Sequence, residues 1–271
     1  MEFRTIVDIE KPAFQIEPLE EMLFVGSCFA DNIGQRFAED HFQTTVNPYG
    51  VMYNPASILH TVKRSECAPR TAVFTLGTNH VYRLKETGEI VDNCEKRPAR
   101  LFQEEELTVD QCADYLQRAI DILQQRRPDV RIILTVSPIR YRKYGYHGSQ
   151  LSKATLLLAT DRLLATTPDG SPSGSHLTYF PAYEIMMDEL RDYRFYAEDM
   201  LHPSHQAVEF ICERFADTFF SERTKAFLTE WRPIKAALNH HPFNPDSEAY
   251  KTFLADARQR EANLLQRYRL T

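Results

Sequence analysis

Three residues in two distant segments have the types and spacing of a nucleophile, a base and an orienting acid. Ser27 lies in the short segment 26–30, and Asp199 and His202 follow about 170 residues later, three positions apart. A serine hydroxyl attacks a carbonyl carbon at neutral pH when a histidine takes its proton and a carboxylate fixes the tautomer of that histidine. We therefore interpret Ser27, His202 and Asp199 as a candidate triad.

Each member of this triad also has a simpler interpretation. Ser27 can cap the helix predicted after it, and His202 can be an ordinary polar residue before another helix. Cys28 is a rival nucleophile, because a thiolate is strongly nucleophilic where electropositive groups lower its pKa. Adjacent side chains on a turn point apart, so one histidine cannot serve both residues, and we favour Ser27.

Two further polar patterns leave alternatives open. Asp199, His202 and His205 form a D-x-x-H-x-x-H pattern, but no second ligand cluster occurs in the sequence, so we expect no metal and no cofactor. The Tyr- and Arg-rich stretches 140–146 and 191–196 can clamp a substrate carboxylate or sugar. Solvated salt bridges are the commoner outcome for such stretches.

The composition is that of a globular chain without a polyanionic partner. The 271 residues are 43% hydrophobic, and the net charge of −6 argues against binding to nucleic acid. The five cysteines include no CxxC pair, so we expect neither a disulfide framework nor a zinc knuckle. The start does not resemble a signal peptide and no run of 18 apolar residues occurs, so we expect a cytoplasmic chain without a membrane span.

Short apolar runs that stop at turns predict a parallel sheet. The predicted strands cover residues 22–25, 44–46, 73–76, 131–136 and 177–180, and helical patterns over 31–39, 55–63, 108–123, 152–165 and 203–219 separate them. This alternation predicts a sheet between two helical layers, in which ligands bind beyond the carboxyl ends of the strands. Ser27, Gly50, Gly77 and Asn79 fall at those ends.

The remaining segments are predicted as follows. Residues 78–93 have the marks of a β-hairpin whose turn is Thr87-Gly88, and pairing outward from that turn places Asn93 beside Val81, close to Asn79. Residues 168–175 form a predicted Pro-, Gly- and Ser-rich loop. We expect a catalytic domain over 1–220 and a helical extension over 221–271, which packs on this domain or against a second copy of the chain.

Four strings together resemble the GSCFA-domain family, a branch related to SGNH or GDSL-like hydrolases. They are GSCFA at 26–30, NPYG at 47–50, LGTNH at 76–80 and DMLHPS at 199–204, and the resemblance covers roughly residues 20–220. It implies a three-layer α/β/α, flavodoxin-like fold and ester or acyl-transfer chemistry. Within this pattern, Ser27 takes the place of the GDS serine, and Asp199 and His202 match the DxxH segment.

The same resemblance implies an oxyanion hole. Gly50 matches the glycine whose backbone N–H faces the oxyanion, and Gly77 and Asn79 match a GxN block in which Asn79 is the side-chain donor. Together with the Ser27 N–H, these groups are the expected donors. His80 stands where the family pattern has an aspartate, so Asn93 is a reserve donor and His80 a candidate substrate contact.

These observations predict a serine-dependent esterase or acyl hydrolase that acts on a small-molecule or carbohydrate acyl ester, possible substrates including acetyl esters. Two alternatives remain. The first is an acyltransferase to a carbohydrate hydroxyl, and the second is a non-catalytic binding protein that keeps the fold, which the altered signature around Gly26 and His80 makes credible.

Overall fold

A computed structural model of the chain describes residues 4–165 and 176–269. The strands are β1 (Glu21–Gly26), β2 (Gln43–Val46), β3 (Thr71–Leu76), β4 (His80–Leu84), β5 (Ile90–Val91), β6 (Phe102–Glu106), β7 (Arg131–Val136) and β8 (Leu177–Tyr179). The helices are α1 (Cys28–Glu39), α2 (Pro55–Arg64), α3 (Val109–Arg126), α4 (Gly145–Ala165), α5 (Ala182–Glu184), α6 (His205–Phe219), α7 (Glu222–Leu238) and α8 (Glu248–Arg269). The loop predicted at 168–175 lies outside the described residues.

The main sheet is five-stranded and parallel, in the order β2-β1-β3-β7-β8. Alternate residues of β1 face opposite layers, because successive strand side chains point to opposite faces. Leu23 and Val25 pack in one core with residues of α2, α3 and α4, whereas Met22 and Phe24 pack in a second core with residues of α1 and α6. The sheet therefore lies between two helical layers, which confirms the predicted three-layer α/β/α fold.

The strand order places a crevice beside β1. The chain passes from β1 to β2 on one side and from β2 back to β3 on the other, so the order reverses between β1 and β3. In open parallel sheets, ligands bind outside the carboxyl ends of the strands at such a reversal. The segments that follow Gly26 and Leu76 meet there.

A small antiparallel sheet follows β3, in the order β5-β4-β6. The β4–β5 pair forms a hairpin as predicted, but its register is shifted by one residue: Tyr82 lies opposite Val91, and this register does not bring Asn93 beside Val81. The sequence pattern did not predict β6, whose strand Phe102–Glu106 pairs along the whole of β4. Its three glutamates and one glutamine carry no alternation of apolar and polar residues.

The C-terminal helices pack on the sheet domain. Trp231 of α7 is buried, and its indole N–H donates to the Asp40 carboxylate at 3.1 Å, while Lys235 pairs with the same carboxylate at 2.9 Å. His41 contacts the Trp231 ring with its own ring, at 4.3 Å between centroids. The boundary at residue 220 and an interface with a second copy stay predictions. No helix within the described ranges is long and apolar enough to cross a membrane.

Candidate active site

The turn between β1 and α1 depends on Gly26. Its φ is +141°, and a Cβ there would lie 2.1 Å from the Thr75 carbonyl oxygen of β3, so only glycine fits. The Gly26 N–H donates to the Asn47 side chain at 2.9 Å, and its carbonyl accepts the Met52 N–H at 2.7 Å. These bonds fix the turn against the segment that follows β2.

Ser27 is built into this turn. Its backbone N–H donates to the Thr75 carbonyl at 3.0 Å, so Ser27 extends the pairing of β1 with β3. Its hydroxyl oxygen lies 3.0 Å from the Thr75 hydroxyl and accepts the Phe29 N–H at 3.2 Å, as the N-cap of α1. The residue is 2% exposed. The Ser27 N–H is therefore used within the sheet, and its hydroxyl has two partners other than a histidine.

Cys28 is the first residue of α1, which begins three residues earlier than its sequence pattern predicts. Its thiol is free and partly exposed, and Sγ lies 3.9 Å from the Tyr53 hydroxyl. Burial, and secondarily the charge of Cys28, raise the pKa of Tyr53 to about 12, so that hydroxyl stays a donor. The backbone N–H of a first helical residue has no acceptor inside its own helix.

The loop before α6 holds the Asp199–His202 pair. The Asp199 carboxylate accepts the backbone N–H groups of His202 at 3.0 Å and Leu201 at 2.9 Å, and its second oxygen lies 2.5 Å from His202 Nδ1. The two backbone donors, and then the imidazole, lower the pKa of Asp199 to about 2. A carboxylate bound to Nδ1 assigns the proton to that nitrogen, which leaves the lone pair of Nε2 available as a base.

A cavity of about 240 Å³ brings the turn and the histidine together. Ser27, Cys28, Tyr53, Gly77, Ser137, Ile139, Arg140, Tyr141, Arg142, Lys143, Leu201 and His202 line it. It lies at the carboxyl ends of β1, β3 and β7, where the strand order predicts a ligand. Within the ranges that the structure describes, no hydrogen bond joins His202 to Ser27 or to Cys28.

The predicted oxyanion donors point elsewhere. The Gly50 N–H donates to the Asn47 carbonyl at 2.8 Å, and Gly50 is exposed outside the cavity lining. The Asn79 amide donates to the Leu107 carbonyl at 2.8 Å from a buried position, and Asn79 does not line the cavity. The oxyanion roles predicted for Gly50 and Asn79 therefore do not fit this geometry, because local turn and loop carbonyls already use their donors.

Three other predicted residues have mixed outcomes. Gly77 lines the cavity, but its N–H donates to the Tyr53 carbonyl at 3.0 Å. Asn93 is exposed and lies outside the lining, where its side chain accepts the Glu95 N–H at 2.7 Å. His80 is buried against the Tyr144 ring, 3.5 Å between centroids, and burial lowers its pKa. Neither Asn93 nor His80 lines the cavity, so the predicted roles of Asn93 as an oxyanion donor and of His80 as a substrate contact do not fit this geometry.

Lys153 is a polar residue of the site that the sequence interpretation missed. Its ammonium nitrogen donates to the carbonyl oxygens of Gly77 and Ser137, each at 2.8 Å, and the residue is 2% exposed. Both acceptors line the cavity, so Lys153 joins the ends of β3 and β7 beneath it. The signal in the sequence was a lysine at helical spacing within the buried stripe of α4.

Two other features are separate from this cavity. His205 points to Glu209, 3.6 Å away, and its side chain is 84% exposed, so it does not join Asp199 and His202 in one cluster. A larger groove of about 890 Å³ lies between residues 7–13 and β8, but its described lining contains no serine, cysteine or histidine. The smaller cavity is therefore the candidate active site.

Solved structures with a similar fold include esterases. A carbohydrate esterase family 3 protein from Talaromyces cellulolyticus is 10% identical, over 73% of this chain and 95% of that chain, with a TM-score of 0.38. An acetyl esterase mutant with acetate ion is 10% identical, over 79% and 99%, with a TM-score of 0.42. A protein described as a GDSL-like lipase, from Parabacteroides merdae, is 11% identical, over 76% and 98%, with a TM-score of 0.46. These similarities carry no argument about chemistry.

Comparison with curated proteins gives no match. The profile of the GSCFA family matches residues 21–70 and 68–215, and the profile of the GSCFA domain protein C-terminal domain matches residues 231–269. The first match covers more than half of the chain and includes both the β1–α1 turn and the Asp199–His202 pair. The chain belongs to the GSCFA family.

Proposed function

We propose that this protein is an acyl hydrolase that works through a covalent acyl intermediate, with His202 as general base and Asp199 orienting it. One observation carries the proposal. The 2.5 Å contact between Asp199 and His202 Nδ1 leaves Nε2 as the base, and His202 shares a cavity with the turn at the N-terminus of α1. A histidine so oriented beside a nucleophile is the arrangement that acyl transfer requires.

The geometry favours Cys28 as the nucleophile. The Ser27 hydroxyl would have to leave Thr75 and the Phe29 N–H before it could attack, and the residue is 2% exposed. The Cys28 thiol is more exposed, and Cys28 is the first residue of the 12-residue helix α1 and lines the same cavity as His202. Ser27, the nucleophile predicted from the sequence, stays the alternative within the same mechanism.

The reaction then proceeds in two halves. His202 Nε2 takes the thiol proton, Sγ attacks the acyl carbon, and the carbonyl electron pair moves to oxygen, near the Cys28 N–H at the helix N-terminus. As the oxyanion collapses, the C–O bond to the alcohol breaks and His202 returns the proton to it, which leaves a thioester. Water then gives a proton to His202 and attacks the thioester, and collapse releases the carboxylic acid and restores the thiol.

The test is a comparison of single variants on p-nitrophenyl acetate. Cys28→Ala should lower kcat/KM by about 10⁴-fold or more. Ser27→Ala should keep most of the activity and lose about 1 kcal/mol of unfolding free energy, because it removes a helix cap. Cys94→Ala is the matched control for nonspecific thiol reaction, since Cys94 is another partly exposed free cysteine outside the cavity lining.

The reverse pattern, an inactive but folded Ser27→Ala and an active Cys28→Ala, would assign the chemistry to Ser27. A wild-type protein that turns over no ester in a panel of aryl and sugar acetates would support the non-catalytic alternative. Added sugar alcohols test transfer: hydrolysis predicts free acid as the product, whereas an acyltransferase forms the sugar ester.

A further inference from the structure

Arg140 is a cation that has no acidic partner among the residues that the structure describes. Its guanidinium carbon lies 4.0 Å from the centroid of the Tyr196 ring, 5.6 Å from that of Tyr146 and 5.7 Å from that of Tyr193. Within residues 4–165 and 176–269, no carboxylate lies within 4.0 Å of it, whereas most other arginines in these ranges form ion pairs. Within the Arg- and Tyr-rich stretches, Arg191 and Arg194 form ion pairs with nearby aspartates, whereas Arg140 packs on tyrosine rings instead.

The position of Arg140 ties it to the candidate base. Its backbone N–H donates to the Leu201 carbonyl at 3.0 Å, one residue before His202. Its side chain lines the candidate active-site cavity and also a neighbouring groove of about 200 Å³, which contains Tyr193 and Tyr196. Arg140 therefore lies where a ligand that fills the cavity extends into the groove.

The charged residues that line the cavity also favour an anionic ligand. Three cations line it, Arg140, Arg142 and Lys143, and no aspartate or glutamate does, although the whole chain has a net charge of −6. Lys143 is paired with Glu104 at 2.8 Å, outside the lining. Asp192 in the adjoining groove is paired with Arg194 at 3.8 Å. Arg140 and Arg142 are the guanidinium groups of the lining without a carboxylate within 4.0 Å among the described residues, and Arg140 is the one that tyrosine rings hold in place.

The tyrosine rings stabilise the charge of Arg140, and Tyr196 also takes one side-chain hydrogen bond from the guanidinium, which leaves its other N–H donors for a ligand. Aromatic faces attract a guanidinium through their quadrupole and hold its plane in place. The N–H groups at the edge of that plane match the two oxygens of a carboxylate or phosphate, and a pre-positioned fork loses little entropy when it binds them. A guanidinium held by rings, without a carboxylate, is therefore prepared for an anion.

We propose that Arg140 binds an anionic group of the substrate, so that the substrate is an acyl ester or thioester with a second, negatively charged carboxylate or phosphate. The anion lies at the mouth of the groove while the acyl carbon lies near Cys28 and His202. This inference rests on the proposed acyl-hydrolase function for its reaction, but the binding of an anion at Arg140 can be measured without turnover.

Two matched substrate pairs test the proposal and distinguish the source of the anion. The first pair is the p-nitrophenyl monoester of adipic acid and p-nitrophenyl hexanoate, which differ in a carboxylate on the acyl chain. The second is acetyl coenzyme A and S-acetyl-N-acetylcysteamine, which differ in phosphates on the leaving group. The wild type should prefer the anionic member of at least one pair by roughly 10- to 100-fold in kcat/KM, mainly through KM.

The variants are Arg140→Met, Arg140→Lys and the control Arg118→Met, at an exposed arginine of α3 outside the linings of both the cavity and the groove. Arg140→Met should bring the ratio of kcat/KM between the anionic and the neutral member close to one, and Arg140→Lys should restore only part of the wild-type ratio. Arg118→Met should keep the wild-type ratio. A wild type without preference in either pair, or a preference that survives Arg140→Met, overturns the inference.

Calorimetric titration of adipate and coenzyme A into Cys28→Ala separates this inference from the proposed function. Adding Arg140→Met to that variant should weaken binding of the preferred anion by about 10-fold or more. If anions bind through Arg140 while no ester is turned over, the inference stands and the hydrolase proposal fails. If no anion binds through Arg140, the inference fails, whether or not esters are hydrolysed.

Discussion

Lys153 predicts an unusual dependence of stability on pH. Its ammonium group is buried beneath the cavity with two carbonyl acceptors, and within the described residues no carboxylate lies within 4.0 Å of it. Burial lowers its pKa from 10.5 to about 7. In the unfolded chain the lysine keeps its ordinary pKa, so between about pH 7 and 10.5 the unfolded state binds more protons than the folded state. The unfolding free energy therefore rises with pH between about pH 7 and 10.5. Below about pH 7, Lys153 is charged in both states, and the folded state is destabilised by the full free energy of burying that charge.

The magnitude follows from the same pKa values. A pKa difference of one unit between the folded and unfolded states changes the unfolding free energy by about 1.4 kcal/mol. The difference between pKa 10.5 and about 7 therefore corresponds to about 5 kcal/mol of unfolding free energy, which is an upper limit because the surroundings of Lys153 relax. Lys153→Met removes the titrating group. The unfolding free energy of the wild type minus that of Lys153→Met should therefore increase by about 2 to 3 kcal/mol between pH 7 and pH 9.

Urea unfolding followed by circular dichroism, at half-unit steps from pH 6 to 9, measures this difference. Burial also raises the pKa of Cys112 and of Cys212 to about 12, but both cysteines are present in both proteins, so their contribution cancels. Lys63→Met, at an exposed lysine of α2, is the control and should run parallel to the wild type. Parallel profiles for wild type and Lys153→Met would refute the reasoning, since Lys153 would then titrate alike in both states.

Three other variants test the Asp199–His202 pair before α6 and the packing of the C-terminal helices. His202→Ala should lower kcat/KM as much as Cys28→Ala, with no further loss in the double variant, and Asp199→Asn should cost roughly 10²- to 10³-fold; additive losses in steady-state kinetics would contradict a shared mechanism. Trp231→Ala should lower the unfolding free energy by about 3 to 5 kcal/mol in urea titrations, because it removes a buried ring and the bond to Asp40, and a loss below 1 kcal/mol would contradict the packing of α7 on the domain.

The sheet was predictable because its signals are local. Strands buried on both faces read as short apolar runs, and Gly26 and Gly77 end two of them where the chain must turn. The third strand of the small sheet gave no such signal. Phe102–Glu106 is a strand because β4 offers it a full register of partners, and only the folded chain places β4 beside it.

The nucleophile was harder to assign because it depends on one residue of register. Whether Gly26 or Ser27 is the last residue paired with β3 decides which side chain caps α1 and is buried against Thr75, and which one is the more exposed side chain of the cavity lining. The bond from the Ser27 N–H to Thr75 settles that register, and its partner lies 48 residues away. Only long-range geometry contains this information, so a motif that shows both residues side by side cannot decide between them.

The oxyanion donors could not be assigned from the sequence for a related reason, and the predicted roles of Gly50 and Asn79 stay predictions that this geometry disfavours. Both residues have donor groups at suitable strand ends, but a donor binds whichever acceptor the fold brings closest. For these two residues the acceptors are Asn47 and Leu107. The Asp199–His202 pair was predictable because three residues of one loop suffice to form it.

The central claim is that an acyl group is carried on Cys28, and trapping that intermediate tests it most directly. Acid quenching during turnover of p-nitrophenyl acetate, followed by peptide mapping with fragmentation between residues 27 and 28, locates the acetyl group. We expect an acetyl thioester on Cys28 that neutral hydroxylamine removes and that Cys28→Ala abolishes. An acetyl ester on Ser27 that resists neutral hydroxylamine and persists in Cys28→Ala would contradict it.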